Sequence, residues 1–346
     1  MAFSAIIKPS DYFTPELYVG TGSSRTISTL NFQPDWVWIK NRDTTDRHSL
    51  FDVVRAAPNM LSTNNNDAQS AQASELTAFN TNGFTVNTAT SVNGSSANYV
   101  SWNWKAGGGQ GSSNTDGSIN TTYTSANTTS GFSISTYTGT GSNATVGHGL
   151  GVAPKMFIVK RLNSTGAFRT YHQATGNLGQ FALNATDEVS DVASMWNSTS
   201  PTNSTISIGT HAGVNASGGT YVAYCFADVK GFSKMGSYIG NGNADGTFAY
   251  TGFKPAFVII KRKLTAQNWA MFDNKRQGYN VANNLLYPNN TTADTTGTFL
   301  DLLSNGFKMR TTASWSNASG ASYIYMAFAE TPFVANSGQS IPTTAR

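Results

Sequence analysis

Phe32-Gln33-Pro34-Asp35-Trp36-Val37-Trp38-Ile39-Lys40 comes back twice, as Val152-Ala153-Pro154-Lys155-Met156-Phe157-Ile158-Val159-Lys160 and as Phe253-Lys254-Pro255-Ala256-Phe257-Val258-Ile259-Ile260-Lys261. Each version runs four apolar residues into a lysine, which predicts a strand covered on both faces, in the middle of a sandwich or at a domain contact. The proline stands just ahead of the strand, where a missing N–H is tolerated. Upstream of each copy lies a Tyr-x-Gly-x-Gly element, at Tyr18–Gly22, Tyr137–Gly141 and Tyr238–Gly242. Downstream each copy closes on an aromatic run, from Tyr99 to Trp104, Tyr221 to Phe226 and Tyr323 to Phe328. A unit of roughly 100 residues is too long for solenoid or propeller repeats, so the reading is three whole domains, each with its own core.

The intervening segments are short, rich in β-branched and aromatic residues and punctuated by Gly, Asn, Ser and Asp, as antiparallel β structure requires. Ser49–Asp52 and Trp269–Asp273 match each other, while the middle copy has Phe168–His172 and no acid there. Gly83–Val86, Thr205–Ile208 and Gly306–Met309 follow, then an Asn-rich turn at Asn93, Asn215 or Asn317. Helical signals are confined to Asp67–Phe79 and Thr296–Leu303. The predicted fold class is all-β: three tandem antiparallel β-sandwich, jelly-roll-like domains on a string. The boundaries are an N-terminal arm at 1–12, repeats at 13–106, 131–230 and 231–333, a linker at 107–130 and a C-terminal tail at 334–346. The linker is dominated by Gly, Ser, Thr and Asn, which predicts a flexible tether and a first copy more loosely attached than the other two.

Of 346 residues only 12% are charged, about half the globular norm, and neutral hydrogen-bonding side chains take their place. A net charge of +4 spread along the chain gives no basic stripe, which argues against nucleic acid as a partner. The start, Met1 to Pro9, lacks a basic n-region and a long apolar core, so no secretory signal or membrane insertion is expected. The single cysteine, Cys225, sits in an apolar run and reads as an inert buried thiol. The Asn-x-Ser/Thr triplets at Asn93, Asn143, Asn163, Asn184, Asn215 and Asn317 read as a product of composition, since no leader accompanies them.

Chemistry is hard to assemble from these residues. His48, His148, His172 and His211 do not recur in register and have no metal-ligand spacing, so neither a metal nor a cofactor is expected. Asn241–Gly246 resembles half a calcium loop but lacks its strongest ligands, and reads as a hairpin turn. The Gly-x-Gly pairs precede no helix and read as turn glycines. Asp52 with Arg55, and Asp273 with Arg276, are predicted structural ion pairs; with no acid in the middle copy, a chemistry common to all three is excluded. Tyr99, Trp102, Trp104, Tyr323 and Tyr325 are the candidates for stacking on sugar rings, against a core role on alternating strand positions.

The repeated formula Tyr-x-Gly-x-Gly, Phe-x-Pro-x-x-x-x-Ile-Lys, Phe-Asp, Gly-Phe and Asn-x-Ser-Gly-x-x-Tyr resembles a repeat in structural proteins of tailed bacteriophages, especially marine ones. Gly131–Lys160 and Lys230–Tyr238 carry the resemblance most strongly, and it spans the chain from about Pro9 onward. It implies a non-enzymatic virion component: a tail fibre or tail-associated appendage, or else a capsid decoration or head-fibre protein. Implied partners are other virion proteins and host surface polysaccharide, with a homo-oligomer, a trimer by analogy, made in the bacterial cytoplasm and carried on the particle surface. A carbohydrate-binding module is the alternative from another class.

Overall fold

The computed structural model describes residues 4–276, 280 and 282–332. The expected C-terminal tail at 334–346 lies outside the described residues, as does the start of the N-terminal arm. The chain is β structure throughout, in antiparallel sheets, with helix reduced to single turns such as Thr90–Asn93 and Ala212–Asn215.

Each copy builds its inner sheet in the same order. An opening strand (Phe13–Val19, Phe132–Thr138, Ser233–Ile239) pairs with the closing strand (Asn98–Trp104, Thr220–Phe226, Ser322–Pro332). The closing strand pairs in turn with the central strand (Trp36–Asn41, Met156–Arg161, Phe253–Arg262). A fourth strand follows: Ser49–Asp52, Arg169–His172 or Ala270–Asp273. The last strand of each copy thus slots between its first and its central one, so the sheet cannot close until the whole copy has been made. A smaller outer sheet lies over it. Its edge strand is Arg25–Ile27, Ala144–Gly147 or Phe248–Tyr250, paired with Gly83–Val86, Thr205–Ile208 or Gly306–Met309.

Strand alternation divides the apolar residues between two cores. In copy two, Phe157, Val159, Tyr221, Ala223 and Cys225 point toward the outer sheet and pack with Val146, Trp196, Ile206 and Ile208. The alternate residues, Met156, Ile158, Val222, Tyr224 and Phe226, join Trp36, Trp38, Trp102 and Trp104 of copy one and Phe257, Met326 and Phe328 of copy three in one contiguous cluster. Both faces of the central strand are therefore buried, as its unbroken apolar run required. Trp104, Phe226 and Phe328 hold equivalent positions and meet in the middle: Trp104 and Phe226 have ring centroids 5.7 and 6.1 Å from Phe328. Ile6 of the N-terminal arm inserts into the same cluster.

The three copies of the repeat close on one another in a ring, not a string. Gln69 N donates to Leu162 O at 2.9 Å, Val189 N to Lys263 O at 2.8 Å, and Asp294 N to Arg42 O at 2.9 Å. These are the same bond made three times, from copy one to two, two to three and three to one. Copy one is accordingly bonded to a neighbour on each side, as the others are. The 107–130 stretch is no loose tether either: Tyr123–Asn127 adds a strand to the opening strand of copy two, and Ser112 bridges to Thr124. Hydroxyls hold it alongside the buried Ile119, with Thr121 and Thr124, and Thr124 and Ser135, each 2.9 Å apart. The two helical expectations also fail. Leu76–Asn80 and Thr295–Leu303 are strands of the outer sheets, and the second shows the alternating burial of a half-covered strand.

The Tyr-x-Gly-x-Gly elements make one clasp in triplicate. Tyr18, Tyr137 and Tyr238 stack on Tyr99, Tyr221 and Tyr323 at 5.1, 5.2 and 5.0 Å. Asn93, Asn215 and Asn317, fully buried, each accept from the backbone N–H of Thr21, Thr140 or Asn241 and donate to backbone carbonyls with the amide. The first glycine is obligatory because a Cβ at Gly20, Gly139 or Gly240 would overlap the carbonyl of Gly94, Ala216 or Ala318.

Candidate functional site

The residues with chemical potential converge on the three seams of the ring. At the seam of copies one and two, Asp52 holds Arg55 (Nε to Oδ2, 2.5 Å) and accepts the Tyr224 hydroxyl of copy two at 2.7 Å. Arg55 also donates to Gln69 Oε1 at 3.0 Å. At the seam of copies three and one, Asp273 holds Arg276 at 2.6 Å and accepts Trp102 Nε1 of copy one at 3.1 Å, with the guanidinium 5.6 Å from the indole centroid. Arg276 continues to Asp294, which takes Arg42 on its other oxygen, both at 2.7 Å. Both expected ion pairs are therefore made, and each also receives a donor from the neighbouring copy.

The seam of copies two and three is built differently. His172 replaces the aspartate and donates from Nε2 to Tyr325 O at 3.3 Å, while its Nδ1 accepts Ala174 N at 3.1 Å. Burial holds its pKa down to about 4, so the ring is neutral at physiological pH. The residue across from it, at the position of Trp102 and Tyr224, is Met326, which has no hydrogen to donate. The acid and its donor are both absent from the same seam.

The lysines that end the central strands are buried as well. Lys160 donates to Asn66 O of copy one at 3.2 Å and Lys261 to Thr186 O of copy two at 2.7 Å, so two of the three reach across a seam. Lys40 stays within its own copy, on Asn41 O and Thr44 O. Desolvation holds all three down to about 8. Cys225 is buried, its thiol pushed up to about 12 by desolvation, and has no nucleophilic character at neutral pH.

Tyr99, Trp102, Trp104, Tyr323 and Tyr325, the candidates for sugar stacking, are all inside the molecule. Tyr99 and Tyr323 belong to the clasps, Trp102 and Trp104 to the shared core, and Tyr325 donates its hydroxyl to Tyr250 O at 3.1 Å. None of the five presents a ring to solvent, and that role is replaced by packing. Asn241–Gly246 is a turn held by its own side chains, with Asn243 N on Asn241 Oδ1 and Asp245 N on Asn243 Oδ1. No group of three or more His, Cys, Asp or Glu side chains with metal-binding geometry occurs among the described residues.

Open features occur at several places among the described residues, one of them a hollow of about 300 Å³ between copies one and three lined by Phe13, Thr14, Asn274, Lys275 and Thr331. A hollow of about 620 Å³ at the seam of copies one and two is lined by Asn66, Thr165, Arg169, Asn184 and Asp187. A groove of about 400 Å³ in copy three runs between the opening strand and the outer edge strand, lined by Asp228, Ser233, Lys234, Tyr250 and Gly252. Tyr250 is 60% exposed and Phe248 is 42% exposed along the rim of that copy. Sequence reasoning passed over both aromatics. The signal was comparative: the matching outward positions of copy two are Thr145 and Gly147.

A family model described as a domain of unknown function, DUF7483, matches residues 8–332 and so takes in all three copies. No curated protein matches the chain, and no solved structure does.

Proposed function

The chain belongs to the DUF7483 family, and within it we propose that this protein is a non-enzymatic structural component of a tailed-phage particle, a tail fibre or tail-associated appendage that contacts the host surface. One observation carries the reading. Asp52, Arg55, Asp273, Arg276, Asp294, His172, Lys160 and Lys261, residue types that a catalytic site would use, serve as struts at the seams between copies, bonded to side chains or backbone carbonyls there. Its sequence resemblance to phage structural repeats and its neutral polar surface support the same reading. The ring of three adds a geometric reason: one chain offers three near-equivalent faces, so it matches a threefold-symmetric tail or shell as a single copy, without first forming a homotrimer.

That geometry also favours a second reading, a decoration protein seated on threefold positions of the capsid. Counting gold-tagged antibodies on intact particles separates the two. A few tags confined to the tail fit the appendage; dense labelling over the head fits the decoration protein. Absence of tags from particles whose proteins are all accounted for overturns both. For the appendage, purified protein should bind host cells and compete with phage adsorption.

A further inference from the structure

The hollow of about 620 Å³ at the seam of copies one and two lies where copy two departs from the other copies at two paired positions. Arg169 pairs with Ala182 of the strand Gly179–Ala182. The same register sets Ser49 against Ser62 in copy one, and Ala270 against Tyr287 in copy three, one step from the Met271–Leu286 bridge. Copy two therefore has a long cation where the others have a small residue, and an alanine where copy three has a ring.

The cation comes without its acid. In copy one Arg47 pairs with the buried Glu75, which also accepts the Ser91 hydroxyl at 2.7 Å. In copy two Met195 takes the place of Glu75, since Gly209 N bonds Met195 O as Asn87 N bonds Glu75 O, and Gly213 takes the place of Ser91. Arg169 reaches into this same region: a Cβ on Gly213 would lie 3.2 Å from its Nε. Its Nη1 has an acceptor in Gln180 Oε1 at 3.2 Å, while the buried Nε has none among the described residues. Burial lowers the Arg169 pKa, and the nearby charge of Asp187 raises it without forming a salt bridge. A guanidinium so placed matches a carboxylate supplied from outside.

The rest of the lining suits a polyhydroxylated ring. Asn184 Nδ2 donates to Asn66 Oδ1 at 2.6 Å, and Asn66 Nδ2 has no acceptor of its own among the described residues. Thr165 contributes a hydroxyl, Asp187 a carboxylate that accepts hydroxyl protons, and Ala167, Ala182 and Ala185 small apolar patches for C–H groups. Lys160 holds the carbonyls of Asn66 and Gly166, at 3.2 and 2.7 Å, and so ties together the two copies that wall the hollow. Its volume falls within the roughly 300–1,000 Å³ of small-ligand sites. Asp187 disfavours a compact dianion in the same hollow, whereas a ring acid keeps its carboxylate on the arginine and offers hydroxyls to the aspartate.

We propose that this hollow binds an acidic sugar unit, a uronic or sialic acid residue, with its carboxylate on Arg169 and its hydroxyls on Asn66, Thr165 and Asp187. The inference deepens the host-contact reading above and rests on it only for the source of the sugar; its test uses purified protein, whereas that reading is tested on particles and cells, so either can fail alone. In titrations of the full chain with galacturonate, glucuronate and N-acetylneuraminate, at least one should saturate, moving the amide signals of residues 165–169 and 182–187. Glucose, the neutral counterpart of glucuronate, should bind about tenfold more weakly or worse than the acid that saturates. Arg169→Gln should weaken the acid by about tenfold. Ala182→Tyr, which gives copy two the side chain copy three has there, should abolish binding with Arg169 still in place and the melting temperature unchanged, and it decides the matter if Arg169→Gln fails to fold. No saturation by any of the three acids up to ~10 mM overturns the proposal. So does equal binding of glucose, equal binding of inorganic phosphate at the same residues, or undiminished binding in Ala182→Tyr.

Discussion

The seam between copies three and one is a chain of four charges, Asp273, Arg276, Asp294 and Arg42, whereas the seam between copies two and three has His172, Val189 and Met326 at corresponding places. Yet the same backbone bond closes both, at 2.9 and 2.8 Å. The contrast separates what defines the ring from what is interchangeable. Backbone pairing and the shared aromatic core define it. The polar lock is optional, provided that the acid and the donor it serves are present or absent as a set, because a buried carboxylate without its partners is costly.

Removing an acid should produce the largest effect where no second acid stands by. Asp52→Ala leaves Arg55 buried with only the neutral Gln69 and backbone carbonyls, and the Tyr224 hydroxyl without its acceptor, a loss of about 3–5 kcal/mol. Denaturant titration should rank it above Asp273→Ala, whose Arg276 keeps Asp294 at 2.7 Å, and both above His172→Ala, at about 1–3 kcal/mol. An equal loss at all three seams would erase the distinction.

Acid should sharpen the comparison. His172 has a folded pKa of about 4 against an ordinary value of 6.5, so between those values the unfolded chain binds more protons. Its contribution is present above pH 6.5 and is lost as pH falls toward 4, by about 3 kcal/mol in all. His172→Phe should flatten that part of the stability profile between pH 6.5 and 4. A slope left in the variant falls to His48 and the other lowered histidines, and an unchanged slope would mean that His172 does not titrate with folding.

The smallest effects should be uniform. Tyr18→Phe, Tyr137→Phe and Tyr238→Phe each remove one buried hydroxyl that donates to Val92 O, Val214 O or Ser316 O, at 2.6–2.7 Å, and each should cost about 1 kcal/mol. Thermal melts that agree within a degree or two would mark the clasps as the repeated, seam-independent part of the fold. A large spread would mean that the clasps too have diverged.

The repeat, the all-β class and the doubly covered central strand were legible because each is written in local periodicity, three times over. The ring was not. Tyr224 with Asp52, Trp102 with Asp273 and Arg42 with Asp294 are 172, 171 and 252 residues apart, and nothing local to either partner announces the other. Asn93, Asn215 and Asn317 were visible in register, but the Asn-x-Ser triplet drew attention away from the side-chain amide that pins each hairpin. The 107–130 stretch misled for a different reason. Composition rules equate Gly, Ser and Thr with freedom, whereas Thr121, Thr124 and Ser135 zip hydroxyl to hydroxyl along a neighbouring strand. Tyr99 and Trp102 were correctly weighed toward the core by alternation, while Tyr250 could be recognised only against its counterpart in another copy.

Gly231 touches both ends of the described chain, since a Cβ there would meet Ser4 on one side and Pro332 on the other. With the third seam held by Asp294 and Arg42 without a covalent link, the described chain returns to the place from which it sets out. A circularly permuted chain that starts at copy two or copy three describes the same ring, and a duplication that adds or removes one copy does not, because the remaining sheets would have no third face to close upon.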